Sequence, residues 1–441
     1  MKKLIKKKWT KEFPYLMLGI LIILFFYRHT LNFNQEVDLS YSNFGPVRPP
    51  MYPFFIWLFR WAGSYQFLLI TWVQGLFLFL SLLYTRYWLK KNLQISEFPI
   101  FLVCLLAIVT IGMHFQMWTV QSEGLAFPLF VFSFFLFIEC FKQFNLKKLI
   151  SLALVVSILV LTRLQFYYFY ALFFLLCAWY LWQRIPFKSV IAAVLILSGS
   201  ILSTFIIDHG YHYIKHGFFA GAPYSGQLLL LQALYLADND AANYFSDPVQ
   251  KAYVQTMITE RNAKRLNQDA ELVNSFKPSF YEYAYETYNR NYLAIQAIIE
   301  NTLKSSIANL PGKRANVKSN KMALSIDHIL IRNELRKNII FYFWKFVRCM
   351  GGVPVFLFFT ILVIAIPFKI IKEKIQSPDV STLFVGIITL ITFLNAGIIA
   401  LCNPYLSVYF CYSLFMFYCL AAFLAHRVFL QDPDVHLMQL V

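Results

Sequence analysis

The chain has 441 residues, of which 59% are hydrophobic and only 14% charged. A typical soluble domain is about 45–50% apolar and about 25% charged, so an ordinary soluble protein is excluded. The net charge of +17 would suggest nucleic acid in a soluble chain; with this apolar content it points to a basic membrane protein with no nucleic-acid partner.

A bilayer core takes about 20 apolar residues per helix. In chain order, spans are expected near 13–33, 66–86, 98–117, 120–139, 149–165, 166–183, 189–207, 352–371, 380–401 and 404–426. The expectation is an all-α polytopic membrane protein of about ten transmembrane helices. The N-terminal lysines Lys2, Lys3, Lys6, Lys7, Lys8 and Lys11 precede the first apolar run, and no small-residue cleavage site follows Tyr27. That run is read as an uncleaved first helix. With a cytoplasmic N-terminus, the short cytoplasmic segments hold 18 Lys and Arg and the short outer segments hold four, Arg28, Arg48, Arg60 and Arg163. The positive-inside rule supports that orientation.

Three regions follow: an N-terminal membrane module at 1–207 containing a first outer loop at 28–65, an outward helical domain at 208–338, and C-terminal membrane helices at 339–441. The middle region holds 27 charged residues in 131, about twice the density elsewhere. Within it, Pro248–Arg265 and Tyr281–Leu303 are expected as amphipathic helices, and the stretch around 305–325 as more mobile. Tyr342–Arg348 is expected to lie at the interface, where Lys345 and Arg348 can meet lipid phosphates. The seven cysteines lie in or beside apolar segments and show no metal-ligand spacing.

Chemistry-bearing residues concentrate in the first outer loop. Glu36 and Asp38 are either ordinary solvated acids or carboxylates beside an apolar surface, able to accept a proton. Arg48-Pro49-Pro50-Met51-Tyr52-Pro53 then forms a stiff turn, and Arg48 can give a phosphate paired hydrogen bonds. Glu123 opens an apolar helix. Arg163 interrupts another apolar run, where a charge is costly enough to suggest function. His209, His212 and His216 fall at i, i+3 and i+7 if the seventh helix continues past Ile207. His209 and His212 are weak candidates for a metal site, and His216, beside Lys215, for a phosphate pocket. No phosphate-binding glycine loop and no His-Glu-x-x-His pattern is present.

An acid-bearing first loop followed by Arg48-Pro-Pro-Met-Tyr52-Pro resembles the GT-C glycosyltransferases, the superfamily of the protein mannosyltransferases and the lipid A aminoarabinose transferase. Gln121-Ser-Glu123-Gly-Leu125, Leu161-Thr-Arg163, Tyr213 to Phe219 with Tyr224-Ser-Gly226, and Asn403-Pro-Tyr405 are similar, in order, to further family segments. The family's usual loop acid sits four residues before the tyrosine. Here that position is Val37, and Asp38 lies three before Tyr41. The resemblance implies a GT-C-like fold and transfer of a sugar from a polyprenyl-phosphate donor to a glycolipid, glycan or protein acceptor hydroxyl, with inversion. It implies Asp38 as the base with Glu36 in reserve, and Arg48, Tyr52, Glu123, Arg163, His216 and Tyr405 as substrate-binding residues. It names no cofactor and leaves a divalent metal open. It also implies a bacterial inner membrane. Other functions compatible with the sequence are an O-antigen polymerase or ligase, a transporter of a lipid-linked glycan, and an inactive scaffold.

Overall fold

The structure is a computed structural model and describes residues 12–25, 39–112, 119–274, 278–305, 312–372, 379–402 and 406–429. No strand occurs among the described residues. Ten helices coincide with the ten apolar segments: α1 (Glu12–Phe25), α4 (Gln66–Leu93), α5 (Glu97–Leu106), α6 (Ser122–Lys142), α7 (Leu146–Thr162), α8 (Tyr168–Trp182), α9 (Phe187–His216), α15 (Val353–Lys372), α16 (Val380–Cys402) and α17 (Leu406–Phe429). Two short helices, α2 (Leu39–Ser42) and α3 (Met51–Leu58), precede α4. Between α9 and α15 lie α10 (Ser225–Leu236), α11 (Pro248–Ala263), α12 (Pro278–Ser305), α13 (Gly312–Asn333) and α14 (Leu335–Cys349).

Seven of the described helices are long and apolar enough to cross a membrane, and they suggest a multi-pass membrane protein. The three segments that fall short of the expected ten are α1, α5 and α7. Glu12–Phe25 and Glu97–Thr110 are short apolar helices, and α7 has 17 residues.

The helix boundaries follow from local chemistry. The Asn145 side chain caps α7 by accepting a hydrogen bond from the Lys148 N–H, and Asp247 does the same for α11 ahead of Pro248. Hydropathy ends the α9 span near 207, yet the helix runs on to His216, where Gly217 stops it at φ +75°. The stretch expected to be mobile contains most of α13. Ala323, Ile326 and Leu330 recur at helical spacing and are buried, and α13 packs on α10.

Helix α6 is the axis of the bundle, packed by α4, α7, α8 and α16. Its Phe127, Phe130, Phe134, Phe137 and Phe141 form a buried stripe. Their rings meet neighbours such as Tyr412, 5.1 Å from Phe130, and Phe169, 5.3 Å from Phe137. Such contacts matter here because lipid tails leave little hydrophobic drive between helices, and packing must supply the association. At the other extreme, α15 turns Leu357, Ile361, Ile364, Phe368 and Ile371 outward, as a lipid-facing helix should.

The helices of the middle region share one continuous apolar core with the bundle, and α14 packs against α16. Arg261 of α11 is fully buried. It donates to the carbonyls of Leu234 at 2.5 Å and Ala237 at 2.7 Å, so it satisfies the end of α10 that would otherwise be left without donors.

One end of the bundle is tied by charge. Arg86 of α4 bridges Glu12 and Glu97 and lies over the Tyr15 ring. Nearby, Glu139 accepts from Trp88 and pairs with Lys148. Burial pushes the Glu97 carboxyl up, but hydrogen bonds from Arg86, Lys90 and Tyr15 outweigh it and hold the pKa at about 2, against the usual 4.5. A carboxyl depressed in the folded state stabilises above its unfolded pKa and loses that contribution as pH falls through the folded one. Thermal unfolding of wild type and Glu97→Gln is therefore expected to differ fully above about pH 4.5. The gap should close toward pH 2; a pH-independent gap would contradict the assignment.

Candidate functional site

At the other end of the bundle the first-loop turn meets the helix starts. Gly45 donates its N–H to the Ser40 carbonyl at 2.6 Å. A Cβ at position 45 would lie 2.8 Å from that oxygen, so a side chain would force the turn open. Arg48 follows, its N–H on the Gly45 carbonyl at 3.1 Å, and Pro49 and Pro50 lead into α3. The Arg48 guanidinium is thereby folded back over the Tyr41 ring, 4.3 Å from its centroid. It donates to Ser40 Oγ at 2.7 Å and to Tyr41 Oη at 3.3 Å.

Tyr41 carries the network inward. Its hydroxyl shares a 2.9 Å hydrogen bond with Ser122 Oγ at the start of α6. Burial pushes the Tyr41 phenol up, while the nearby Arg48 and Arg163 pull against that shift. Arg163, in extended backbone between α7 and α8, donates to Ser122 Oγ at 3.0 Å and forms an ion pair with Glu123. Both side chains of that pair are about nine-tenths buried. The Arg163 guanidinium also lies over the Tyr409 ring at 4.9 Å.

A second layer fixes these groups. Tyr52 is fully buried and meets Tyr41 edge-on, with ring centroids 5.0 Å apart. Gln74 of α4 donates to Tyr52 Oη and to the Gln121 carbonyl, both at 3.0 Å. A Cβ at Gly124 would lie 2.2 Å from Gln74 Nε2, so glycine there lets Gln74 reach both partners. On the domain side, Tyr224 feels the charge of Arg48, shares a hydrogen bond with Tyr292 and accepts one from Gln296 at 3.0 Å.

Beside this network a groove of about 650 Å³ runs between α3 and the end of α9. Phe44, Phe54, Trp57 and Tyr211 wall it, and Arg60 and Lys215 add two cations. Arg60 lies over the Trp57 ring and Lys215 over that of Phe44. The groove thus combines aromatic walls with positive charge, a combination suited to a ligand with an apolar body and an anionic head.

Four of the expected residues, Arg48, Tyr52, Glu123 and Arg163, are therefore brought together. Asp38, Glu36 and Tyr405 lie outside the described residues. His216 does not itself line the groove: it is buried behind Tyr211, with its ring 5.6 Å from that of Tyr211 and 5.9 Å from that of Phe218, while Lys215 lines the groove. His209 bends back to within 3.0 Å of the Phe205 carbonyl, its ring tilted against the Phe205 ring with centroids 3.8 Å apart. His212 faces Asp208, with Nε2 and Oδ1 3.6 Å apart, beyond hydrogen-bond reach. Among the described residues no three side chains of His, Cys, Asp or Glu are grouped to hold a metal, so the histidines singled out by spacing do not form such a site.

Gln74 and Tyr409 escaped the sequence reading. Gln74 was signalled, since it is the one amide inside the apolar run 67–85; Tyr409 carries no signal among 27 tyrosines. Comparison with protein-family models, curated proteins and solved structures gives no match to this chain.

Proposed function

We propose that the protein is a membrane glycosyltransferase of GT-C type. It moves a sugar from a polyprenyl-phosphate donor to an acceptor hydroxyl of a lipid, glycan or protein on the outer side of a bacterial inner membrane. The observation that carries this reading is the junction of Arg48 and Arg163 through Tyr41 and Ser122, with Glu123 beside them. Two guanidiniums held in a largely buried network suit a leaving phosphate, because their charge counts for most where water is excluded. The basic aromatic groove beside it suits the carrier lipid.

In this reading the carboxylate of Asp38, or of Glu36 in reserve, takes the proton of the acceptor hydroxyl. The acceptor oxygen bonds to the anomeric carbon as the bond from that carbon to the phosphate oxygen breaks. The electron pair stays on the phosphate, where Arg48 and Arg163 meet the developing charge. One displacement inverts the anomeric carbon. Tyr41, Ser122 and Gln74 position the two arginines and the turn.

The purified protein in nanodiscs, given synthetic polyprenyl-phosphate sugars and scored for release of polyprenyl phosphate, tests the reading. Wild type should release it, with Arg48→Ala lowered at least about 100-fold, the scale of removing one donor to a developing oxyanion. Equal release by wild type and Arg48→Ala would contradict the assigned role. Release that survives Asp38→Asn and Glu36→Gln together would favour a polymerase or ligase mechanism that has no need of the first-loop acid.

A further inference from the structure

A second basic cleft lies away from the arginine network, between the first turns of α12 and the last turns of α14. Its volume is about 450 Å³, and Gly352 and Val353, where α15 begins, line one side of it. Tyr281 and Trp344, both in its wall, stack directly on each other with centroids 4.7 Å apart. The charged lining residues are Glu282, Lys345 and Arg348.

The cleft lies at the start of a candidate span, Val353–Lys372, and the end of a spanning helix meets the lipid headgroups. Tyr342 donates to the Gly397 carbonyl at 3.3 Å and Phe346 meets Phe393 at 5.7 Å, so α14 descends along the last turns of α16. Helix α15, whose first residue lines the cleft, is the least buried of the candidate spans, at 6%. A lipid lying along the outward face of α15 would therefore have its headgroup beside the cleft.

The two cations are held in place. Lys345 is 1% exposed, donates to Gln232 Oε1 at 3.0 Å and lies over the Tyr288 ring. The Arg348 guanidinium is steadied over the Tyr285 ring at 4.6 Å. Its partner Glu282 is 61% exposed, and an ion pair that open to water contributes little. A phosphate, with more acceptor oxygens and a matched fork geometry, competes well for Arg348.

We propose that this cleft binds the phosphate of a membrane-lipid headgroup. The site is independent of the transfer reading: neither Arg48 nor Arg163 lines it.

Native mass spectrometry of the purified protein with phosphatidylglycerol, with diacylglycerol of the same chains, and with inorganic phosphate tests it. Wild type should retain one more phosphatidylglycerol than Arg348→Gln, whose occupancy of that site falls about tenfold. Diacylglycerol should not replace the retained lipid, and millimolar inorganic phosphate should not displace it. Glu282→Gln, a surface change, should raise occupancy, because it removes the competing carboxylate. Thermal unfolding of each variant checks that it is folded. Equal retention by wild type and Arg348→Gln, or reduced retention in Glu282→Gln, would overturn the proposal. Displacement by inorganic phosphate would also overturn it, assigning the cleft to a free anion.

Discussion

Glu123→Ala is expected to abolish transfer and to destabilise the protein by about 3–5 kcal/mol, the scale of stranding one member of a buried ion pair. The reason is the state of Arg163 after the change. Its guanidinium is about nine-tenths buried. Without Glu123 it keeps Ser122 Oγ and the Tyr409 ring, neither of which neutralises a charge. The double variant Glu123→Ala/Arg163→Met removes the stranded charge and should regain much of the lost stability while remaining inactive, since apolar replacement of a buried pair is often near neutral. Thermal unfolding in nanodiscs, run beside the transfer assay, separates the two effects. A Glu123→Ala protein as stable as wild type would show that Arg163 is not held by this pair.

The second large effect is expected at Arg261→Leu. Its guanidinium serves the Leu234 and Ala237 carbonyls and the Asn239 and Asn262 side chains. Leucine leaves two buried carbonyls without a donor, at ~1–3 kcal/mol each. It also leaves space that a guanidinium filled. The loss should be about 3–5 kcal/mol. Because α10 shares the continuous core, the loss should spread to α13 and α14, which hydrogen exchange on peptides 225–236, 312–333 and 335–349 would register as faster exchange. Unchanged protection would contradict the capping role. Transfer should fall in proportion to folded protein, since Arg261 lies outside the arginine network.

The membrane segments were legible because twenty-residue hydropathy depends on composition more than on neighbours. Among the described residues α1, α5 and α7 carry the apolar composition over stretches shorter than the seven longer helices. The helix over 312–333 was not anticipated, because Pro311, Gly312 and the lysines that follow weigh against one. What makes it a helix is the buried stripe of Ala323, Ile326 and Leu330 against α10, a tertiary effect. In the site, Arg48, Glu123 and Arg163 stood out because charges are rare in this chain. That Ser122 joins Tyr41 to Arg163 could not be read, since 81 residues separate Ser122 from Tyr41 and 41 separate it from Arg163. The histidines were misplaced because helical spacing fixes where a side chain leaves the helix but not where it turns. His209 bends back one turn to Phe205, and the face it was expected to share carries Asp208, His212 and His216 instead, all three buried.

Mass spectrometry of envelope glycolipids and glycoproteins from cells lacking the protein, rescued with wild type, Arg48→Ala/Arg163→Lys or Asp38→Asn, tests the central claim most directly. Membrane levels of each variant are matched first. The account predicts a product lighter by one sugar in the deletion, restored by wild type and by neither variant. Full restoration by both variants would contradict a transfer site built on the first loop and the two arginines.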